Sequence, residues 1–210
     1  MDDLIQVNKK IKGILTHDNR KTIATNLYLI NPSTIFLEND ELRSCLYNIY
    51  FQISVKFNIP IGCIFLTGSA HIGFSWKKGH DFSKDSDLDV AIVHSSLFNQ
   101  VFIKILEETD SYRLTHLFSK NGHTTGLEKL QSFKEKLTQG ILHPLYFPKA
   151  EFQTDWNQFF HKLTRENKAF FRKITGCIYL SEECFRISQE NSLRLYIEMW
   201  SKNQDKGNIK

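Results

Sequence analysis

Two short stretches of this 210-residue chain, CIFLTGS at residues 63–69 and SDLDVAIV at residues 86–93, decide its fold. The first is an apolar run that follows Pro60, a residue that blocks helix, and that ends at a Gly-Ser pair. The second begins with two acids separated by a leucine and continues as an uninterrupted apolar run. Short apolar runs bounded by turn residues are typical of buried strands. The pattern therefore predicts strands at residues 63–66 and Asp87–Val93.

Apolar residues that recur every three or four positions predict helices around these strands. The first predicted helix follows a residue suited to capping its start, Asn39 or Asp40. Helices are predicted at residues 41–56, 96–107, 126–138, 154–174 and 183–200, and a third strand is predicted at residues 177–180. Strands that alternate with helices indicate an α/β (α+β) fold, in which a small mixed sheet is covered by helices and further helices close the C-terminal end.

The chain reads as one continuous domain at residues 41–200, after a mixed lead-in at residues 1–40 and before a polar tail at residues 201–210. Hydrophobic residues make up 41% of the chain, which is enough for a sizeable core and excludes a disordered protein. A net charge of +4 permits a polyanionic partner without arguing for one.

The cellular location that we expect depends on two sequence signals, a membrane helix and a secretory signal. No stretch approaches the roughly 18 apolar residues of a membrane helix. The N-terminus carries two acids where a secretory signal has bases. We therefore expect a cytoplasmic protein without a membrane partner. Its four cysteines are far apart and lack metal-ligand spacing, so we expect buried free thiols.

The two decisive stretches also bring together residues that suit phosphate chemistry. A Gly-Ser turn at Gly68 and Ser69 lets backbone amides and a hydroxyl approach a phosphate closely. Asp87 and Asp89 are two positions apart on a predicted strand, so their side chains point to one face. Two carboxylates on one face can share divalent cations with substrate phosphates, as Mg²⁺ prefers. A phosphate cradle beside paired carboxylates indicates phosphoryl or nucleotidyl transfer.

Residues 66–69 and 86–93 resemble the signature of the polymerase-beta-type nucleotidyltransferase superfamily: a Gly-Ser turn after a strand, then two acids that flank a hydrophobic residue and lead into an apolar strand. The resemblance is tight over residues 61–94. It implies an enzyme that binds a nucleoside triphosphate with Mg²⁺ or Mn²⁺, passes the nucleoside monophosphate to a hydroxyl and releases pyrophosphate. ATP is the favoured triphosphate, and RNA and protein are both candidate acceptors.

The resemblance also implies roles for individual residues of this chain. Asp87 and Asp89 are the implied catalytic and metal-binding residues. The residues assigned to nucleotide binding are Gly68, Ser69, Ser86 and Lys77. Two histidines lie near the predicted site, and we expect both His71 and His80 to be structural or to face solvent.

The chain departs from the family pattern at two points. Seventeen residues separate Ser69 from Asp87, more than is usual in the family, which predicts an insertion beside the site mouth. The family also has a third carboxylate on a later strand, and no Asp lies in the third apolar run here. The remaining candidates for that carboxylate are Glu151, Asp155, Glu182 and Glu183. The alternative to an enzyme is therefore a catalytically weakened module that binds nucleotide or a partner, of the toxin–antitoxin or phage-defence type.

A basic helix face leaves one further function open. On the predicted helix at residues 154–174, the face opposite the apolar side carries His161, Arg165, Lys168 and Arg172. We expect this face to be solvated. Its alternative role is to hold a triphosphate tail or a nucleic-acid backbone, which keeps open a plain nucleic-acid-binding domain.

Overall fold

The structure, a computed structural model, describes residues 20–75, 80–119 and 126–207, the side chains of Thr34 and residues 196–207 excepted. Within these residues a four-stranded sheet lies at the centre of the fold. Its strands are β1 Ile64–Thr67, β2 Asp87–Val93, β3 Ile141–Leu142 and β4 Lys173–Tyr179. The strand order is β1-β2-β4-β3; β2 runs antiparallel to β1 and parallel to β4, and β3 runs antiparallel to β4. The predicted small mixed sheet is confirmed.

Helices cover this sheet, as predicted. They are α1 Arg20–Thr25, α2 Thr34–Glu38, α3 Asp40–Phe57, α4 Gly68–Ile72, α5 Ser95–Glu108, α6 Leu127–Thr138, α7 Glu151–Glu166 and α8 Glu182–Gly207. A π-helical turn at Asn26–Ile30 follows α1, and short 3-10 turns lie at Ile61–Cys63, Thr115–Phe118 and Pro144–Tyr146. No helix within the described ranges has both the length and the apolar character that a membrane crossing requires.

The boundaries of α3 show how local side chains begin and end a helix. The side chain of Asn39 accepts a hydrogen bond from the Leu42 amide, which satisfies one of the free donors at the helix start. At the other end Asn58 adopts a left-handed backbone conformation, with φ of 50°. Asparagine tolerates this conformation better than most residues, so the helix stops before Pro60. The predicted helix at residues 41–56 is confirmed.

The predicted helix at residues 154–174 is wrong beyond Glu166. There α7 ends, and the chain turns and enters β4 at Lys173, whose pairing with β2 satisfies the backbone of both strands. The side chain of Thr164 accepts a hydrogen bond from the Ile174 amide and ties the new strand to the helix it follows. The predicted basic face is therefore divided, because Arg172 lies after the turn and not on α7.

Close packing of α7 on β4 depends on a glycine within the strand. A β-carbon at Gly176 would lie 2.2 Å from the ring of Phe160, a separation that no side chain could occupy. Gly176 lies between the predicted helix at residues 154–174 and the predicted strand at residues 177–180, and in the structure it is part of β4 and lets α7 approach the sheet.

Alternate residues of β2 enter two different apolar clusters. Leu88, Val90 and Ile92 are almost completely buried in the larger cluster, against α3, α5, α6 and α7. Ala91 enters the smaller cluster on the opposite face of the sheet. That cluster is formed by side chains of α1, the π-helical turn, β3, β4 and α8: Ile23, Ala24, Tyr28, Ile141, Tyr179, Phe185 and Leu193. The part of the lead-in at residues 20–30 thus packs against the same face of the sheet as the last helix.

Candidate functional site

A cleft of about 610 Å³ opens on the face of the sheet that carries the smaller cluster, where β1 ends and β2 and β4 begin. Its walls come from the Gly68-Ser69 turn, the starts of β2 and β4, Tyr28 of the lead-in and α8. The volume lies within the range of ordinary ligand pockets, about 300–1,000 Å³. Regions far apart in the sequence therefore meet at one concave site.

Asp87 and Asp89 lie on the floor of this cleft, on the same face of β2. Leu88 between them is completely buried on the opposite face, so the alternation predicted from the sequence is present. Residues two apart on a strand have Cα atoms about 7 Å apart. Two carboxylates at that spacing can converge on a shared ligand from one side.

Asp89 is half-buried, and its carboxylate is hydrogen-bonded within the sheet. Its Oδ1 accepts a hydrogen bond of 2.7 Å from the Thr175 hydroxyl, across the β2–β4 pairing that sets these two residues opposite each other. Burial raises the pKa of Asp89, and the hydrogen bond from Thr175 lowers it in part. A cation at this carboxylate would replace lost hydration, because burial penalises an isolated ionised carboxylate.

Asp87 forms an ion pair with Arg172. Arg172 donates two hydrogen bonds to its carboxylate, Nε to Oδ1 at 3.0 Å and Nη2 to Oδ2 at 2.7 Å. The bond to Asp87 raises the pKa of Arg172. More than half of the Arg172 side chain is exposed, and exposed ion pairs contribute little to stability. The pair can therefore open at small cost when another cation competes for Asp87.

Gly68 brings the turn after β1 directly against Asp89. Its φ is +60°, a conformation that disfavours any residue with a β-carbon. A β-carbon built there would lie 3.2 Å from Oδ2 of Asp89. Ser69 follows in the cleft wall, and α4, which begins at Gly68, is only five residues long. A glycine at position 68 therefore lets the backbone of this turn approach the Asp89 carboxylate closely.

The other predicted site residues have different surroundings. Ser86 is buried beside Asp87, and its hydroxyl accepts a hydrogen bond from the Ser83 amide within the turn that precedes β2. Lys77 lies outside the described residues. His71 is buried, and its Nε2 donates to the Leu27 carbonyl, so it is structural as expected. His80 is exposed and lines the cleft.

None of the four candidates for a third carboxylate lines the cleft. Glu151 lies 3.5 Å from Lys104, and Glu183 binds Arg186 of its own helix. Asp155 lines a separate groove beside α3, and Glu182 is exposed at the start of α8. In the described part of the chain, no group of three or more His, Cys, Asp or Glu side chains is arranged to hold a metal ion.

The donor set nevertheless suits one class of ion. Mg²⁺ is commonly bound by one or two carboxylates together with substrate phosphates, and not by a cage made only of protein ligands. Asp87 and Asp89 supply two such oxygen ligands on one face, beside the Gly68-Ser69 turn that lines the same cleft. These residues therefore fit Mg²⁺ or Mn²⁺ bound jointly with a phosphorylated substrate.

The sequence patterns missed several cleft residues and placed Arg172 on a helix face, not beside Asp87. Arg172 and Thr175 enter the site through the pairing of β4 with β2, and Asp85 lines the cleft from the turn before β2. Lys136 and His143 reach it from α6 and from the chain after β3. Burial is the main cause that lowers the pKa of His143, followed by the charge of Lys136. The signal that could have found Thr175 is the alternation of β4 itself, once its register with Asp89 is known.

No protein-family model, no curated protein and no solved structure matches this chain.

Proposed function

We propose that this protein binds a nucleoside triphosphate, ATP first among them, together with Mg²⁺ or Mn²⁺ in the cleft, and transfers the nucleoside monophosphate to an acceptor hydroxyl with release of pyrophosphate. The observation that carries the proposal is the close approach of Gly68 to the Asp89 carboxylate, since a β-carbon built on Gly68 would lie 3.2 Å from Oδ2. It joins a turn open to phosphate with a pair of same-face acids, the combination on which the resemblance to the polymerase-beta-type superfamily rests.

Each cleft residue has a defined task in this proposal. Asp87 and Asp89 would hold the divalent ion, which when bound neutralises triphosphate charge and polarises the phosphorus that is attacked. Gly68 and Ser69 would approach the phosphates through backbone amides and a hydroxyl. Arg172, released from Asp87, would be free to contact the triphosphate, which is a suitable partner for a guanidinium group.

A second function is favoured by the residue opposite Asp89. In β4 that position is Thr175, and no described carboxylate completes a three-acid group with Asp87 and Asp89. A site with two acids can still bind a metal–nucleotide complex while it transfers slowly or not at all. The alternative is therefore a nucleotide-binding regulatory module of the kind that acts in toxin–antitoxin or phage-defence systems.

Binding and transfer measurements separate these functions. The wild type and a double variant, Asp87→Asn with Asp89→Asn, are titrated with Mg-ATP by calorimetry. Each is then incubated with labelled ATP, GTP, CTP or UTP, with RNA or protein as acceptor. We expect the double variant to bind Mg-ATP at least about 100-fold more weakly, because both charged oxygen ligands are lost. The matched control is Glu151→Gln with Asp155→Asn, which removes two carboxylates outside the cleft and should bind like the wild type.

The outcomes distinguish the transferase from the regulatory module, and one outcome contradicts both. Label transferred by the wild type and lost in the double variant supports the transferase. Tight Mg-ATP binding without transfer to either acceptor supports the regulatory module. Equal affinity of the wild type and the double variant contradicts both.

A further inference from the structure

Two histidines line the cleft, and hydrogen bonding gives them opposite free nitrogens. Nδ1 of His80 lies 3.0 Å from the backbone carbonyl of Asp81. A carbonyl oxygen can only accept a hydrogen bond, so Nδ1 of His80 carries a hydrogen. In the neutral ring Nε2 then keeps a free lone pair. His80 therefore offers the cleft a nitrogen that can take up a proton.

His143 has the reverse arrangement. Its Nδ1 accepts a hydrogen bond of 3.2 Å from the Leu145 amide, so in the neutral ring the hydrogen lies on Nε2. Burial lowers the pKa of His143, which keeps that ring neutral. His143 also lines the cleft, but the lone pair of its Nδ1 is already used by the Leu145 amide. Of the two cleft histidines, only His80 presents an available base.

The backbone around His80 holds its imidazole at the cleft wall. Phe74 and Asp81 form an isolated antiparallel bridge, the Ser75 amide donates to the His80 carbonyl at 2.8 Å, and the Phe82 amide donates to the Gly73 carbonyl at 2.8 Å. This pairing begins one residue after α4, the helix that starts at Gly68. The position of His80 is thus tied to the same turn that approaches Asp89.

We propose that His80 is the proton acceptor of the transfer reaction, an inference that rests on the proposed function. Nε2 of His80 takes the proton of the acceptor hydroxyl as its oxygen forms a bond to the α-phosphorus. The bond between that phosphorus and the oxygen bridging to the β-phosphate breaks, and pyrophosphate leaves with the electron pair. The imidazolium then returns its proton to solvent.

Chemistry and position both favour this role. Imidazole exchanges protons near neutral pH, and a positioned base of this kind contributes about 10²–10⁴-fold to rate. Within the described residues the position opposite Asp89 holds Thr175 instead of a carboxylate, so the acceptor proton needs another destination. The charged groups and the second histidine that share the cleft with His80 are Asp85, Asp87, Asp89, Lys136, His143 and Arg172. The other titratable side chains of the cleft are Cys177 and the tyrosines Tyr28, Tyr146 and Tyr179, and Asp81 is the next residue of the chain.

The test uses His80→Asn in the full chain. Asparagine keeps a donor close to the place of Nδ1, so it can still bind the Asp81 carbonyl, but it has no basic nitrogen. We expect the single-turnover transfer rate to fall about 10²–10⁴-fold while Mg-ATP affinity changes less than about twofold. Added imidazole should restore part of the rate. His161→Asn, on the exposed face of α7, is the matched control and should transfer like the wild type.

Nitrogen-15 NMR of the ring checks the premise without any activity. The neutral His80 ring should carry its hydrogen on Nδ1, and a spectrum with the hydrogen on Nε2 overturns the proposal. Undiminished transfer by His80→Asn also overturns it, while the wild-type activity in the same assay still supports the proposed function. A wild type that binds Mg-ATP but transfers to no acceptor overturns the transferase and, with it, the role of His80.

Discussion

The two faces of β2 are built from alternate residues of one strand and serve different purposes. On one face Leu88, Val90 and Ile92 are covered along the whole strand by α3 and α5–α7. On the other face, cover by the lead-in and α8 reaches Ala91 but leaves the cleft open at Asp87 and Asp89. The larger cluster therefore carries the stability of the strand, and the incomplete cover of the opposite face leaves two charged groups accessible.

The same comparison explains why a turn that depends on glycine and an exposed ion pair are tolerated at the site. A well-packed strand places its acids accurately, because each apolar neighbour is fixed in the core. Burying one leucine side chain completely contributes about 1.5–3 kcal/mol, more than the Arg172–Asp87 pair at the surface can supply. The packed face thus supports a site whose own contacts are weak enough to be exchanged for a ligand.

The largest expected effect is on the packed face. Leu88→Ala leaves a cavity where a completely buried side chain was, and we expect a loss of about 2–5 kcal/mol in the free energy of unfolding. Urea denaturation followed by circular dichroism measures this loss. Mg-ATP affinity of the folded fraction should change little, since the side chain points away from the cleft. Asp89→Asn, one position along, is the matched control and should show the reverse: weak binding with stability close to wild type. A Leu88→Ala variant as stable as the wild type would contradict the division between the faces.

The features that could be predicted from the sequence are the ones that depend on near neighbours. The bounds of β2 follow from an acid–leucine–acid start and an apolar run, and α3 follows from a capping asparagine and a helical stripe. The placement of Asp87, Asp89 and Gly68 at one site needed only a strand, a turn and a second strand in order.

The features that could not be predicted depend on contacts between distant segments. Phe170 and Phe171 continue the helical spacing of α7, but pairing with β2 draws the following residues into a strand. β3 has two residues, too few for any periodicity. Arg172 and Thr175 join the site only through the β2–β4 register, and Tyr28 only through the packing of the lead-in. No local pattern carries that register or that packing.

An intermediate effect is expected at the junction between the turn and the acids. Gly68→Ala places a β-carbon on a residue with φ of +60° and brings it to 3.2 Å from the Asp89 carboxylate. The backbone conformation alone costs about 1–2 kcal/mol for a residue with a side chain. We expect that loss of stability together with weaker Mg-ATP binding, as the carboxylate is displaced, measured by urea denaturation and calorimetry. Gly62→Ala is the control, because a β-carbon there meets nothing within 4 Å. Unchanged Mg-ATP affinity in Gly68→Ala would contradict the proposal that the turn helps to place the Asp89 carboxylate for binding.

The smallest expected effect concerns the attachment of the lead-in to the open face of the sheet. His71 of α4 makes this attachment. Its Nε2 donates to the Leu27 carbonyl, and its ring stacks on Tyr28 with ring centroids 5.0 Å apart. Burial lowers the pKa of His71, and the hydrogen bond to Leu27 opposes that shift in part. The unfolded chain therefore binds more protons than the folded chain below the ordinary histidine pKa of about 6.5. Stability from this group is complete above that pH and is lost as the pH falls through the lower folded value.

His71→Gln tests this linkage, because glutamine can still donate to the Leu27 carbonyl but does not titrate. We expect the variant to be somewhat less stable than the wild type at pH 7.5, since the stacking on Tyr28 is lost, and the difference to narrow as the pH falls to 5.0. Thermal unfolding at both pH values measures the narrowing. His161→Gln, at an exposed position, should keep the wild-type pH dependence. If the difference in stability between His71→Gln and the wild type is the same at both pH values, titration of His71 does not make the stability depend on pH. The contact of His71 with Leu27 then only attaches the lead-in beside the cleft.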